Sequence, residues 1–126
     1  MKSVIELFRN PARTAKPRES GLTHVLDKGM SLSEAEGLIE VAGEFVDIVK
    51  FGWATAAVIG NLEKKIELFR KAGIPICCGG SFFELAFMKG RVDEYIAFLR
   101  EHDFKIVEVS DGVIEIEAAE KLRYIE

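Results

Sequence analysis

Residues 45–78, FVDIVKFGWATAAVIGNLEKKIELFRKAGIPICC, decide the fold. They open on an apolar run, residues 45–51, rich in the β-branched and aromatic types that strands favour. Residues 61–72 then read as a helix closing at Gly73, and Ile74-Pro-Ile-Cys-Cys78 reads as a second strand. A strand, a helix and a strand in that order predict two parallel strands joined by a right-handed crossover.

The same rhythm extends both ways. Upstream, residues 21–27 form a short apolar strand. Ser33 and Glu36 have the spacing of a capping box, after which Ala35, Leu38, Ile39 and Ala42 share a helical face that Gly43 ends. Downstream, residues 81–100 read as helix, broken near Gly90 by Lys89-Gly90-Arg91. Residues 104–109 are the fourth strand and residues 118–125 begin a fourth helix. Four βα units match the first half of a (β/α)8 barrel, which takes about 250 residues when complete. A small open α/β sheet is the alternative. The division follows: residues 1–20 as a basic N-terminal arm, residues 21–126 as a (βα)4 half-barrel domain.

Composition narrows the function. The 126 residues are 48% hydrophobic, enough for a core, and 30% charged with both signs mixed. A net charge of −4 argues against a nucleic-acid binder, which carries a basic face. No apolar run is long enough to span a membrane, and MKSVIELFRN lacks the apolar stretch of a signal peptide. Two adjacent cysteines are a poor disulfide and too few for a structural zinc site. The chain therefore reads as reduced, soluble and cytoplasmic. The arm carries Lys2, Arg9, Arg13, Lys16 and Arg18, with a helical turn expected at residues 5–8. It would serve an anionic ligand or stand as a solvated tail.

In parallel α/β folds the chemistry gathers at the carboxyl ends of the strands. Strand one runs into Asp27-Lys28-Gly29, strand two into Lys50-Phe51-Gly52-Trp53, and strand four into Glu108-Val109-Ser110-Asp111. Strand alternation puts Thr23, Val25 and Asp27 on one side, Val46, Ile48 and Lys50 on another strand's side, and Ile106, Glu108 and Ser110 on a third. If those sides face the barrel axis, Asp27, Lys50 and Glu108 converge. Two carboxylates beside an ammonium suit Mg²⁺; the alternative is a structural salt bridge. Gly79, Gly80 and Ser81 precede a helix and would hold an anion on backbone N–H groups. Ser81 and Glu84 also form a second capping box, a structural task for Glu84. His24 lies on the other parity and is expected to pack toward the helices. Cys77 and Cys78 read as small core residues, or one lines a pocket. Trp53 either walls the site or packs. Phe82, Phe83, Phe87 and Phe98 are core by helical spacing.

Several runs together carry a family likeness: Lys16-Pro-Arg-Glu-Ser-Gly-Leu-Thr, Val25-Leu-Asp-Lys-Gly29, Val46-Asp-Ile-Val-Lys-Phe-Gly-Trp53, Gly79-Gly-Ser-Phe-Phe-Glu84, Asp93-Glu-Tyr95 and Val107-Glu-Val-Ser-Asp-Gly112. In this order they resemble the phosphosulfolactate synthase family. The resemblance implies a (β/α)8 barrel that adds sulfite to phosphoenolpyruvate with Mg²⁺, giving (2R)-phospho-3-sulfolactate on the way to coenzyme M. It further implies that Lys50, Lys28 and Glu84 are catalytic, that Gly79, Gly80, Ser81, Trp53 and Ser110 bind substrate, and that Asp27, Glu108 and Asp111 hold the metal. Two departures are mild: Trp53-Ala54-Thr55 stands for Trp-Gly-Thr, and Gly79-Gly-Ser-Phe-Phe-Glu84 for Gly-Gly-Thr-Leu-Phe-Glu. The third is length, since a whole barrel continues for about another 120 residues.

A half barrel leaves axis-facing side chains uncovered. Val25, Val46, Ile48 and Ile106 are expected there, and burying each is worth roughly 1.5–3 kcal/mol, so a cover is expected: a homo-oligomer in which two chains close the barrel, or the rest of a longer chain of which this is a fragment. The competing reading is a non-catalytic relative that oligomerises, or binds a small anion through Gly79, Gly80, Ser81 and the arm.

Overall fold

Four short strands form one sheet in the order β1-β2-β3-β4: β1 (His24–Asp27), β2 (Ile48–Phe51), β3 (Ile76–Cys78) and β4 (Ile106–Val107). All three pairings are parallel. The computed structural model describes residues 13–126, so the turn expected at residues 5–8 lies outside the described residues. Helices α1 (Leu32–Ala42), α2 (Leu62–Lys71), α3 (Gly80–Met88), α4 (Val92–Glu101) and α5 (Ala118–Arg123) alternate with the strands. A 3₁₀ turn, Thr55–Ala57, follows β2. This is the arrangement of half a (β/α)8 barrel, as the βα rhythm predicts. Among the described residues no helix is long and apolar enough to cross a membrane.

The strands are shorter than the apolar runs that announce them. The flanks still bond between strands: Asp47 and Ile48 N–H both donate to Thr23 O, and Val49 N–H to Pro75 O. Pro75 has no N–H to continue a ladder, which trims the start of β3.

Helix α1 begins two residues earlier than expected. Ser31 is its N-cap, accepting from Glu34 N–H at 3.2 Å while Glu34 accepts from Ser31 N–H at 2.7 Å. The motif occurs in two frames, Ser31/Glu34 and Ser33/Glu36. The earlier frame wins because Asp27 Oδ1 gathers the N–H groups of Gly29 and Met30 and turns the chain just ahead of Ser31. The second expected box, Ser81 with Glu84, does not form: Gly79 is the N-cap of α3, without a side-chain cap. The break between α3 and α4 falls where expected, with Gly90 at φ +63°, a conformation glycine enters freely.

Alternation along the strands separates two faces. Val49 and Phe51 of β2, with Ile76 and Cys78 of β3, are buried beneath the helices with Phe69 and Phe83. Phe51 meets Phe69 and Phe104 edge-on at 6.4 and 6.0 Å. Phe83 is buried, and Phe82, Phe87 and Phe98 pack against that core, as their spacing predicts. The opposite face carries the row Leu26, Lys50, Cys77 and Ile106. Its apolar members match expectation at Ile48 and Ile106 and depart from it elsewhere. Val46 is buried and Val25 packs on the core, whereas Leu22 and Leu26 are 50% and 42% exposed.

The basic residues at 13–18 are held by the domain's own polar groups. Arg13 donates to Gly21 O and Thr23 Oγ1, Lys16 Nζ to Gly43 O at 2.7 Å, and Arg18 to Asp47 Oδ1 and Glu44 O.

Candidate functional site

The face of the sheet opposite Val49 and Phe51 concentrates charge around Lys50. Its Nζ donates to Glu108 Oε1 at 2.8 Å, and Gly80 N–H donates to Glu108 Oε2 at 3.1 Å. Glu108 is placed by its register, since its N–H bonds Cys78 O just beyond β4. Burial pushes the Glu108 carboxyl up, but the hydrogen bonds from Lys50 and Gly80 and the Lys50 charge outweigh it and hold it below its ordinary 4.5. Cys77 sits fully buried on the same face. Burial, then the Glu108 charge, push its thiol up to about 11 against the opposing pull of Lys50. His24 completes the group: its ring nitrogen, Cys77 Sγ and a Glu108 oxygen all lie within 4.8 Å of one another.

The structure corrects the expected parity of β1. Leu26 pairs with Lys50 and His24 with Ile48, so His24 shares the Lys50 face and Asp27 points to the helices beside Phe51. Alternation says which residues share a side, but not which side that is. In β1 both parities carry apolar residues, so the side is settled by Val49 and Phe51, which fill the helix side of β2. Asp27 does not converge with Lys50 and Glu108. It is fully buried and ion-paired with Lys65 of α2, while Oδ1 accepts from Gly29 and Met30 N–H at 2.7 Å each. Lys65 Nζ also donates to Met30 O at 2.8 Å.

The other expected residues fall into three places. Glu84 is buried and serves as an acceptor for the loop beyond β4: the Ser110 hydroxyl donates to Oε1, and Val113 and Ile114 N–H donate to Oε2 at 2.7 and 3.0 Å. This loop contact takes the place of the expected helix cap. Gly80 lies against that loop, where a Cβ would meet Ser110 Oγ at 2.2 Å, so only glycine fits without displacement. Gly79 N–H bonds Phe51 O, and Ser81 opens the first turn of α3. Asp111 lies apart from Glu108 in an ion pair with Lys121 at 2.7 Å. Lys28 sits over the Trp53 ring, its Nζ 5.1 Å from the centroid, and Trp53 is 67% exposed. Trp53 and Ala54 both have positive φ, +53° and +57°, so Ala54 carries backbone strain that a glycine would not.

Lys50, Glu108 and Gly80 are thus brought together, with Glu84 and Ser110 adjoining. Asp27 and Asp111 are engaged elsewhere. Sequence reasoning placed His24 on the helix side, gave Cys77 a pocket only as an alternative to the core, and did not single out Lys65, the buried partner of Asp27. A signal for Lys65 existed, because a lysine beside Leu62, Ile66 and Phe69 interrupts the buried stripe of α2.

Comparison with known proteins follows the same lines. The pattern of the (2R)-phospho-3-sulfolactate synthase (ComA) family matches residues 11–126. The phosphosulfolactate synthase of Methanothermobacter thermautotrophicus is 39% identical over 121 residues, 94% of this chain and 47% of that protein. That of Methanocaldococcus jannaschii is 40% identical over 105 residues, 82% of this chain and 42% of that protein. That of Bacillus subtilis is 33% identical over 115 residues, 91% of this chain and 46% of that protein. The chain spans about half the length of the curated relatives it matches.

Proposed function

The chain belongs to the (2R)-phospho-3-sulfolactate synthase family, and from that premise we propose that its four βα units form half of a site that adds sulfite to phosphoenolpyruvate. The observation that carries this reading is the Lys50–Glu108 pair, anchored by Gly80 N–H at the carboxyl ends of β2 and β4.

In this reading sulfite forms the S–C3 bond, the C2=C3 electron pair moves onto C2 and the substrate carboxylate, and a proton completes C2. In this reading the Lys50 ammonium stabilises that developing charge and supplies the proton. Glu108 fixes the position of Lys50. Lys28 and Trp53 flank the mouth, Gly79, Gly80 and Ser81 border the substrate, and Glu84 with Ser110 holds the loop that closes one side.

Of the three carboxylates expected to hold Mg²⁺, Glu108 alone faces this group. That suits a cation bound through one carboxylate and the substrate's own oxygens, as Mg²⁺ commonly is. Bound there, it would polarise the phosphoenolpyruvate carboxylate and phosphate. The exposed Leu22 and Leu26 call for a cover. We assign that cover to a second copy of the chain, completing eight strands.

The test combines light scattering with an assay of phosphoenolpyruvate consumption in sulfite and Mg²⁺. The expected result is a species near twice 14.1 kDa that turns over, with Lys50→Ala slower by about a hundredfold. A folded dimer that consumes no phosphoenolpyruvate would overturn the reading.

A further inference from the structure

The group around Lys50 contains two side chains that the sulfite addition does not use, His24 and Cys77. We propose that His24, Cys77 and Glu108 form a binding site for a thiophilic divalent cation of the zinc type, distinct in chemistry from the Mg²⁺ of the reaction.

Geometry comes first. The three ligand atoms already lie within 4.8 Å of one another. In a tetrahedral zinc site, metal–ligand bonds of about 2.0–2.3 Å put ligand atoms some 3.3–3.8 Å apart. Rotation of the exposed His24 ring and the half-exposed Glu108 side chain supplies that contraction without moving a strand. The ligands come from three different strands or strand ends, on β1, on β3 and just beyond β4, so the sheet itself sets their spacing. Three protein ligands leave a fourth position open, the pattern of zinc sites that also bind water or a small anion.

Donor chemistry comes second. One imidazole nitrogen, one sulfur and one carboxylate oxygen suit a borderline cation, whereas Mg²⁺ takes oxygens alone. Cys77 is fully buried, and the nearest acceptor of its thiol is Cys78 O at a long 3.6 Å. A thiol held so weakly gives up little when it is metallated. Its raised pKa means that a cation must displace a proton: the S–H bond breaks as the S–metal bond forms, and the proton leaves to solvent. Lys50 is the competing cation. Glu108 Oε1 already accepts from Lys50 Nζ at 2.8 Å and Oε2 from Gly80 N–H at 3.1 Å, so a metal on Glu108 shares the carboxylate with those donors.

The proposal stands on three side chains and not on the sulfite reaction, and its test reads metal binding without turnover. Co²⁺ is titrated into the whole protein and the near-ultraviolet thiolate-to-cobalt absorption is followed. The expected result is a band that saturates at one cobalt per chain, persists in Mg²⁺ and is displaced by Zn²⁺. Cys77→Ser should abolish the band, and His24→Ala should weaken binding by about tenfold or more. Since His24 is exposed, its variant keeps the fold and remains informative even where Cys77→Ser does not. Absence of the band in the wild-type protein, its survival in Cys77→Ser, or unchanged affinity in His24→Ala would each overturn the assignment.

Discussion

Lys65→Ala is expected to destabilise the protein by about 3–5 kcal/mol, a large part of the stability of a domain this size. Lys65 and Asp27 are both fully buried and ion-paired with each other. Removing the ammonium leaves a carboxylate in the core with only Gly29 and Met30 N–H to offset its lost hydration. The same lysine lies over the Phe51 ring at 5.2 Å and donates to Met30 O, so one side chain ties α2 to the end of β1 and the turn after it. Urea unfolding should show the loss as a lower midpoint. A paired replacement, Lys65→Met with Asp27→Leu, should recover much of it, because no charge is then left without a partner. A single variant that unfolds with the wild type would show that the pair does not hold β1 to α2.

The second large effect concerns Glu84. Glu84→Ala is expected to cost about 3 kcal/mol, because it strands the Val113 and Ile114 N–H groups and the Ser110 hydroxyl at once. Burial pushes the Glu84 carboxyl up, yet the hydrogen bonds from Ser110, Val113, Ile114 and Gly112 prevail and hold it below its ordinary 4.5. A carboxylate whose folded pKa lies below its unfolded one adds stability above the unfolded value. That stability disappears as pH falls through the folded value. The wild type should therefore lose stability as it is acidified below about pH 4.5. Glu84→Gln should lose less over the same range, since it starts without that contribution. Equal acid dependence in the two proteins would show that Glu84 does not couple the loop to pH.

The order of the elements was legible because it is a property of neighbours. Apolar runs at residues 45–51 and 74–78, the helix between them and the break at Gly90 all follow from short-range propensity and turn chemistry. What failed depends on distance along the chain. Choosing the face that Asp27 occupies needs the register against β2, and β1 is too evenly apolar to reveal it. Glu84 has a capping partner three residues away in sequence, yet its actual partners lie 26 to 30 residues downstream. Two overlapping Ser-x-x-Glu frames at 31 and 33 are equal locally, and a carboxylate on β1 decides between them. Of the candidate site, the Lys50–Glu108 pair was legible from strand ends alone. Of its neighbours, Cys77 was legible only as an alternative to a core residue, and His24 was assigned to the other face.

Trp53 is the single tryptophan of the chain, and it is mostly exposed with the Lys28 ammonium over its ring. Its light therefore reports on the rim above β1 and β2 and hardly at all on the core. Unfolding exchanges one watery setting for another, so tryptophan emission is a poor gauge of stability, and circular dichroism has to follow the melts described above. An anion that draws Lys28 off the indole alters the emission while the fold stays intact. The protein thus carries a built-in optical probe of the loops that follow β1 and β2.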